Sequence, residues 1–157
     1  MALNLLLPNK YKSIGWLLLI PAITLGIFIT VTGFEASWLN TKVFSFFPRE
    51  FGNKQYFSII DANLTNTIVG VLFITGAVFV GFSKEKNEDE FISNLRLSSL
   101  LWSVLVNYSL LFIAFIFVYD TAFLTVMIYN MFTVLLIFII RFNYILYKSS
   151  KPVAGEK

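Results

Sequence analysis

Four apolar runs dominate this sequence, near Ser13–Thr32, Leu64–Phe82, Ser98–Tyr119 and Ala122–Ile140, and none contains Asp, Glu, Lys or Arg. A helix crossing a hydrocarbon core roughly 30 Å thick needs about 20 mostly apolar residues. All four runs qualify. The expected fold is all-α, a four-helix transmembrane bundle with an ordered outer loop between helices one and two. The connections are short, so residues 1–157 are expected to form a single integral membrane domain.

Composition narrows the chemistry. The chain is 57% hydrophobic and only 13% charged, with a mean hydropathy of +0.77. It has no Cys, so it has no disulfide, thiol relay, thiolate metal site or cysteine nucleophile. It has no His, which removes the commonest metal and haem ligand and the usual near-neutral base. With no carboxylate inside a span either, the expectation is no metal, no cofactor and no enzyme. The net charge of +3 sits at the membrane edges and speaks to topology, not to nucleic-acid binding. Lys10 and Lys12 precede the first run as in a secretory signal, but no small-x-small cleavage site follows. The first span therefore reads as a retained anchor, and the LNLLL stretch before Pro8 as an interfacial segment.

Positive charge orients the spans. With both termini cytoplasmic, nine Lys and Arg fall inside, namely Lys10, Lys12, Lys84, Lys86, Arg96, Arg141, Lys148, Lys151 and Lys157. Three fall outside, namely Lys42, Arg49 and Lys54. The outer loop, Gly33–Asn63, holds Phe34, Trp38, Phe44, Phe46, Phe47, Phe51, Tyr56 and Phe57. Aromatic residues collect at membrane–water boundaries. The loop reads either as a cap on the outer leaflet or as an aromatic surface for a partner or lipid-like ligand. Pro48 and Gly52 break it into short pieces, and Asp61 or Asn63 suits the N-cap of span two. In the inner loop, Asn87 and Glu90 resemble a capping box, predicting a helix from about Glu88 to Tyr119, about 48 Å long. The acidic run Glu85, Glu88, Asp89 and Glu90 reads as a solvated helix start rather than a divalent-metal site. Spans three and four meet at Asp120–Thr121, and the tail Lys148–Lys157 is polar.

Two seams carry the packing argument. Gly15, Ala22, Gly26 and Thr30 share one face of span one; Gly70, Ala77 and Gly81 share one face of span two, extended by Asn66. Small residues let membrane helices approach closely, so Gly26 and Gly70 are expected where the two helices meet. Pro21 predicts a kink in span one. In span three, Asp89, Ser93, Arg96, Ser99, Ser103 and Asn107 fall within about 120° of arc at 100° per residue. Span four offers Asn130, Thr133 and Arg141 on one face. Counted from the outer turn, Asn107 and Asn130 lie at similar depth, flanked by Tyr108 and Tyr129. An amide in hydrocarbon needs a partner, and another amide can serve. The polar seam of Ser103, Asn107, Tyr108, Tyr129 and Asn130 is thus either glue between helices or the lining of a small cavity. Arg96 and Arg141 at its mouth are candidate contacts for an anionic headgroup.

The stretches LLLPNKYKSIGW (5–16), KEKNEDEFISNLRLSSLLWSVLVNY (84–108) and MIYNMFTVLLIFIIRFNYILYK (127–148) resemble a family of small four-span bacterial membrane proteins whose activity is not established. The resemblance implies fold and location in the bacterial inner membrane, and no catalytic signature. The leading expectation is a non-enzymatic regulatory or assembly partner, working through the inner extension of helix three and the tail. The alternative is a small-molecule or lipid binder, or a transporter, using the polar seam. Expected partners are the lipid bilayer, a membrane or cytosolic protein, and a further copy of the chain.

Overall fold

The computed structural model describes residues 6–46 and 57–150. Its order is helix α1 (Lys10–Thr32), a short 3-10 turn (Ser37–Leu39), strands β1 (Asn40–Ser45) and β2 (Ser58–Asn63), then helices α2 (Thr65–Phe82), α3 (Glu90–Phe117) and α4 (Asp120–Ser150). All four helices are long and apolar enough to cross a membrane. The chain is an all-α, four-helix, multi-pass membrane protein with one small antiparallel sheet. Phe47, Pro48, Arg49, Phe51, Gly52, Lys54 and Tyr56 of the outer loop, the first residues of the LNLLL stretch and the tail from Lys151 lie outside the described residues.

The chain divides into two compact units. The first holds residues up to Leu17 and from Ile74 onward. In it, segments of all four helices surround the buried side chains of Ala77, Val80, Phe138, Ile139 and Phe142. Gly15 makes the tight approach between α1 and α2: a Cβ there would lie 2.8 Å from the Val80 backbone nitrogen. Gly81 faces α4 instead, where a Cβ would lie 2.6 Å from a ring carbon of Phe138. Helix α3 returns to α4 through Val118 and Tyr119. Asp120, at φ 57°, makes the reversal, because its short polar side chain tolerates the left-handed region.

The second unit is Leu18–Phe73. Gly33, at φ +65°, ends α1, and its N–H reaches the Ile29 carbonyl at 2.8 Å. Gly26 does face α2, at an ordinary 3.7 Å from Val69. Strands β1 and β2 pair in register from Asn40↔Asn63 to Ser45↔Ser58. The base of this hairpin is tied to α2: Ala36 N–H donates to Thr65 Oγ1 at 3.1 Å, and Asn63 Nδ2 donates to the Ala36 carbonyl at 2.9 Å. Asn63 Oδ1 also accepts from Thr65 N–H at 2.9 Å, so of the two expected caps Asn63, the last residue of β2, serves the helix start, while Asp61 lies opposite Lys42 within the hairpin. Toward the free end, Phe44, Phe46 and Phe57 cluster ring against ring, 5.2–6.4 Å between centroids, and stay exposed.

Candidate functional site: the polar seam of helix three

The buried residues of α3 are all polar: Arg96, Ser99, Ser103 and Asn107. Its apolar residues point outward, with Leu101, Leu105, Phe112 and Phe117 well exposed. Spacings of three and four put the polar set on one face. A helix with its polar face inward and apolar faces outward suits a lipid surround, where packing and hydrogen bonds hold helices together.

At mid-length, Asn107 Nδ2 donates to Asn130 Oδ1 at 3.0 Å, and Asn130 Nδ2 donates back to Asn107 Oδ1 at 3.2 Å. Asn107 is only 2% exposed. The two amides therefore satisfy each other in a closed contact. Ser103, fully buried one turn along, donates to the Leu100 carbonyl at 2.7 Å. The tyrosines do not join them. Tyr108 is 62% and Tyr129 46% exposed, because each lies about 100° around its helix from the neighbouring asparagine.

Toward the charged end the seam becomes ionic. Arg96 is buried, and its guanidinium forks onto Glu88, Nη1 to Oε1 at 2.6 Å and Nη2 to Oε2 at 3.2 Å. Nη2 also donates to the Ser83 carbonyl at 3.2 Å, and the group lies 5.1 Å from the Phe142 ring centroid. Burial pushes the Glu88 pKa up. The Arg96 hydrogen bond, the Glu85 N–H and the charges of Arg96 and Lys84 outweigh that push and hold it below its ordinary 4.5. Two buried polar atoms, Arg96 Nε and Ser99 Oγ, have no partner among the described residues. Arg141 is engaged elsewhere: it donates to the Ser98 carbonyl at 2.8 Å and stacks on Trp102, 4.9 Å from the ring centroid. The two arginines expected side by side at a cavity mouth thus serve separate contacts.

Helix α3 starts two residues later than expected. Asp89, not Asn87, is its N-cap, accepting from Ile92 N–H at 2.8 Å. Glu88 is then free of the helix and turns to Arg96.

A set of partners at this end was not read from the sequence. Leu7 forms a parallel bridge with Ser83, through Leu7 N–H to the Phe82 carbonyl at 2.9 Å and Lys84 N–H to the Leu7 carbonyl at 2.8 Å. Asn9 Nδ2 donates to the Lys84 carbonyl at 2.7 Å, and Lys12 pairs with Glu85. Residues 7–12 therefore strap the loop that carries Glu88. The opposite charges of Lys12 and Glu85 at one membrane edge were the available signal; nothing in the LNLLL stretch predicts strand-like pairing. Among the described residues, no group of three or more Asp, Glu, His or Cys side chains is placed to hold a metal ion. No family model, curated protein or solved structure matches this chain.

Proposed function

We propose that this is a non-enzymatic protein of the bacterial inner membrane, with both termini cytoplasmic, acting as a regulatory or assembly partner of other proteins. The observation that carries the reading is the reciprocal Asn107–Asn130 pair. The two amides that face each other between α3 and α4 are engaged with each other, which suits a load of packing rather than of solute. The nine-to-three distribution of Lys and Arg supports the orientation. The location extends the resemblance expected from the sequence to small four-span bacterial proteins. Phe91, 55% exposed in the first turn of α3, offers an apolar contact beside the strapped loop.

A second reading, a small-molecule or lipid binder, is favoured by one observation. Arg96 Nε and Ser99 Oγ are buried without a described partner, where a polar ligand group would satisfy both. Photo-crosslinking from position 91 in native membranes separates the two. A benzophenone amino acid in place of Phe91 should give a discrete protein adduct. Adducts to lipid alone, together with a co-purifying small molecule lost on Ser99→Leu, would overturn the partner reading in favour of the binder.

A further inference from the structure

Tyr108 is the anomaly of the outer surface of α3. It lies nine residues before Phe117, about 14 Å along the helix, near the middle of a hydrocarbon core roughly 30 Å thick. It is 62% exposed, and no described residue forms a hydrogen bond with its hydroxyl. Tyrosine ordinarily sits in the interfacial belt, where its hydroxyl is wet. At this depth the phenol is too far from either surface to snorkel. An unpaired hydroxyl in hydrocarbon is costly, and acyl chains offer no acceptor. A neighbour that brings a polar atom to this depth would remove that cost.

The same face supplies one. Tyr108 lines a shallow groove with Leu105, Ser109, Phe112 and Ile113. The Ser109 hydroxyl gives its hydrogen to the Leu105 carbonyl at 2.8 Å, which leaves its oxygen lone pairs able to accept. Donor and acceptor are adjacent residues, about 100° apart around the helix. A two-fold axis normal to the membrane, passing between those two directions, sets each about 50° to either side of it. Rotation by half a turn then brings each Tyr108 opposite the Ser109 of the other copy at nearly equal depth. Two copies inserted in the same sense share such an axis, so the patch is self-complementary.

We propose that this face of α3 is a homodimer interface, in which the Tyr108 hydroxyl of each copy donates to Ser109 Oγ of the other across a two-fold axis normal to the membrane. It rests on the assembly reading above and names one partner within it, a second copy of this chain. Leu105 and Phe112 point close to the axis and supply the apolar packing around the paired hydroxyls.

The absence of cysteine makes the test direct, because a single introduced thiol is the only one in the chain. Leu105→Cys, placed in full-length protein in membranes and oxidised, should give a covalent dimer. Leu110→Cys is also exposed on α3, about 7.5 Å further along the helix, but lies outside the groove and should stay monomeric. Adding Tyr108→Phe or Ser109→Ala to Leu105→Cys should lower the dimer yield about threefold or more, the range of a membrane hydrogen bond. Both sites face outward, so membrane insertion should be unaffected. A monomeric Leu105→Cys, as when an acyl chain covers the groove, would overturn the proposal. So would equal cross-linking from positions 105 and 110, or a yield indifferent to Tyr108→Phe. Any of these, with the protein adduct at position 91 intact, would sink the homodimer and leave the broader assembly reading standing.

Discussion

At the residue scale, the decisive pair is Asn107 with Asn130. Each amide supplies both a donor and an acceptor to the other, so neither is left unsatisfied away from water. Asn107→Leu should therefore lower stability in detergent by about 0.6–2 kcal/mol, the range for polar contacts between membrane helices. Asn107→Leu combined with Asn130→Leu should cost less than the sum of the single changes, because the double variant leaves no orphaned amide. Thermal unfolding of the four proteins measures this coupling, and strict additivity would mean that the pair does not interact. The pair was legible in the sequence because distance from a tight turn sets depth in an antiparallel hairpin. The places of Tyr108 and Tyr129 were not. Depth alone does not report direction, and one residue along a helix turns a side chain through about 100°. The glycines divide in the same way. Their spacing marked the seam, but which glycine bears the closest approach, Gly15 at 2.8 Å rather than Gly26 at 3.7 Å, depends on the neighbour each one meets.

At the scale of elements, the loop between α2 and α3 is held by ion pairs on both sides, Lys12 with Glu85 and Arg96 with Glu88. A carboxylate whose pKa falls on folding stabilises the fold above its unfolded pKa and loses that effect as pH drops through the folded value. The stabilisation from Glu88 should be complete above about pH 4.5 and decline below it. Glu88→Gln should remove that part of the acid dependence while lowering stability at neutral pH, as unfolding curves across the acid range would register. Loss of stability on acidification at the same slope in Glu88→Gln would contradict it. The helices were legible because their apolar runs are long and uninterrupted. The hairpin was not. Strands β1 and β2 are six residues each and mix Asn, Lys and Asp with Val, Phe and Ile, so no alternating apolar pattern stands out. Its register is set by pairing across the strands, with Asn63 Nδ2 donating to Asn40 Oδ1 at 2.7 Å and Lys42 opposite Asp61. A lone two-stranded hairpin is marginal in water. This one gains from being tied at its base to the start of α2.

At the scale of the molecule, the distribution of charge predicts the orientation of the spans. Reporter fusions after Lys148 and within the outer loop near Lys42 should report opposite sides, with the former cytoplasmic; an external reporter after Lys148 would reverse the arrangement. The strap leads to the same sidedness without appeal to charge. Leu7 and Ser83 are hydrogen-bonded neighbours, so the segments before α1 and after α2 must emerge on the same side of the bilayer. That bridge also sets a timetable for biogenesis. Asn9 and its acceptor Lys84 are 75 positions apart, which at ribosomal speeds of about 5–20 residues per second is a wait of roughly 4–15 s. Through that interval the segment ahead of α1 has no strand to join. Once Lys84 has emerged from the ribosome, α1 and α2 can be latched as a pair. Arg96, about a dozen residues further on, holds the same loop from the other side through the Ser83 carbonyl. An affinity tag joined close to Leu7 should therefore lower the yield of inserted protein as well as the stability of what is inserted.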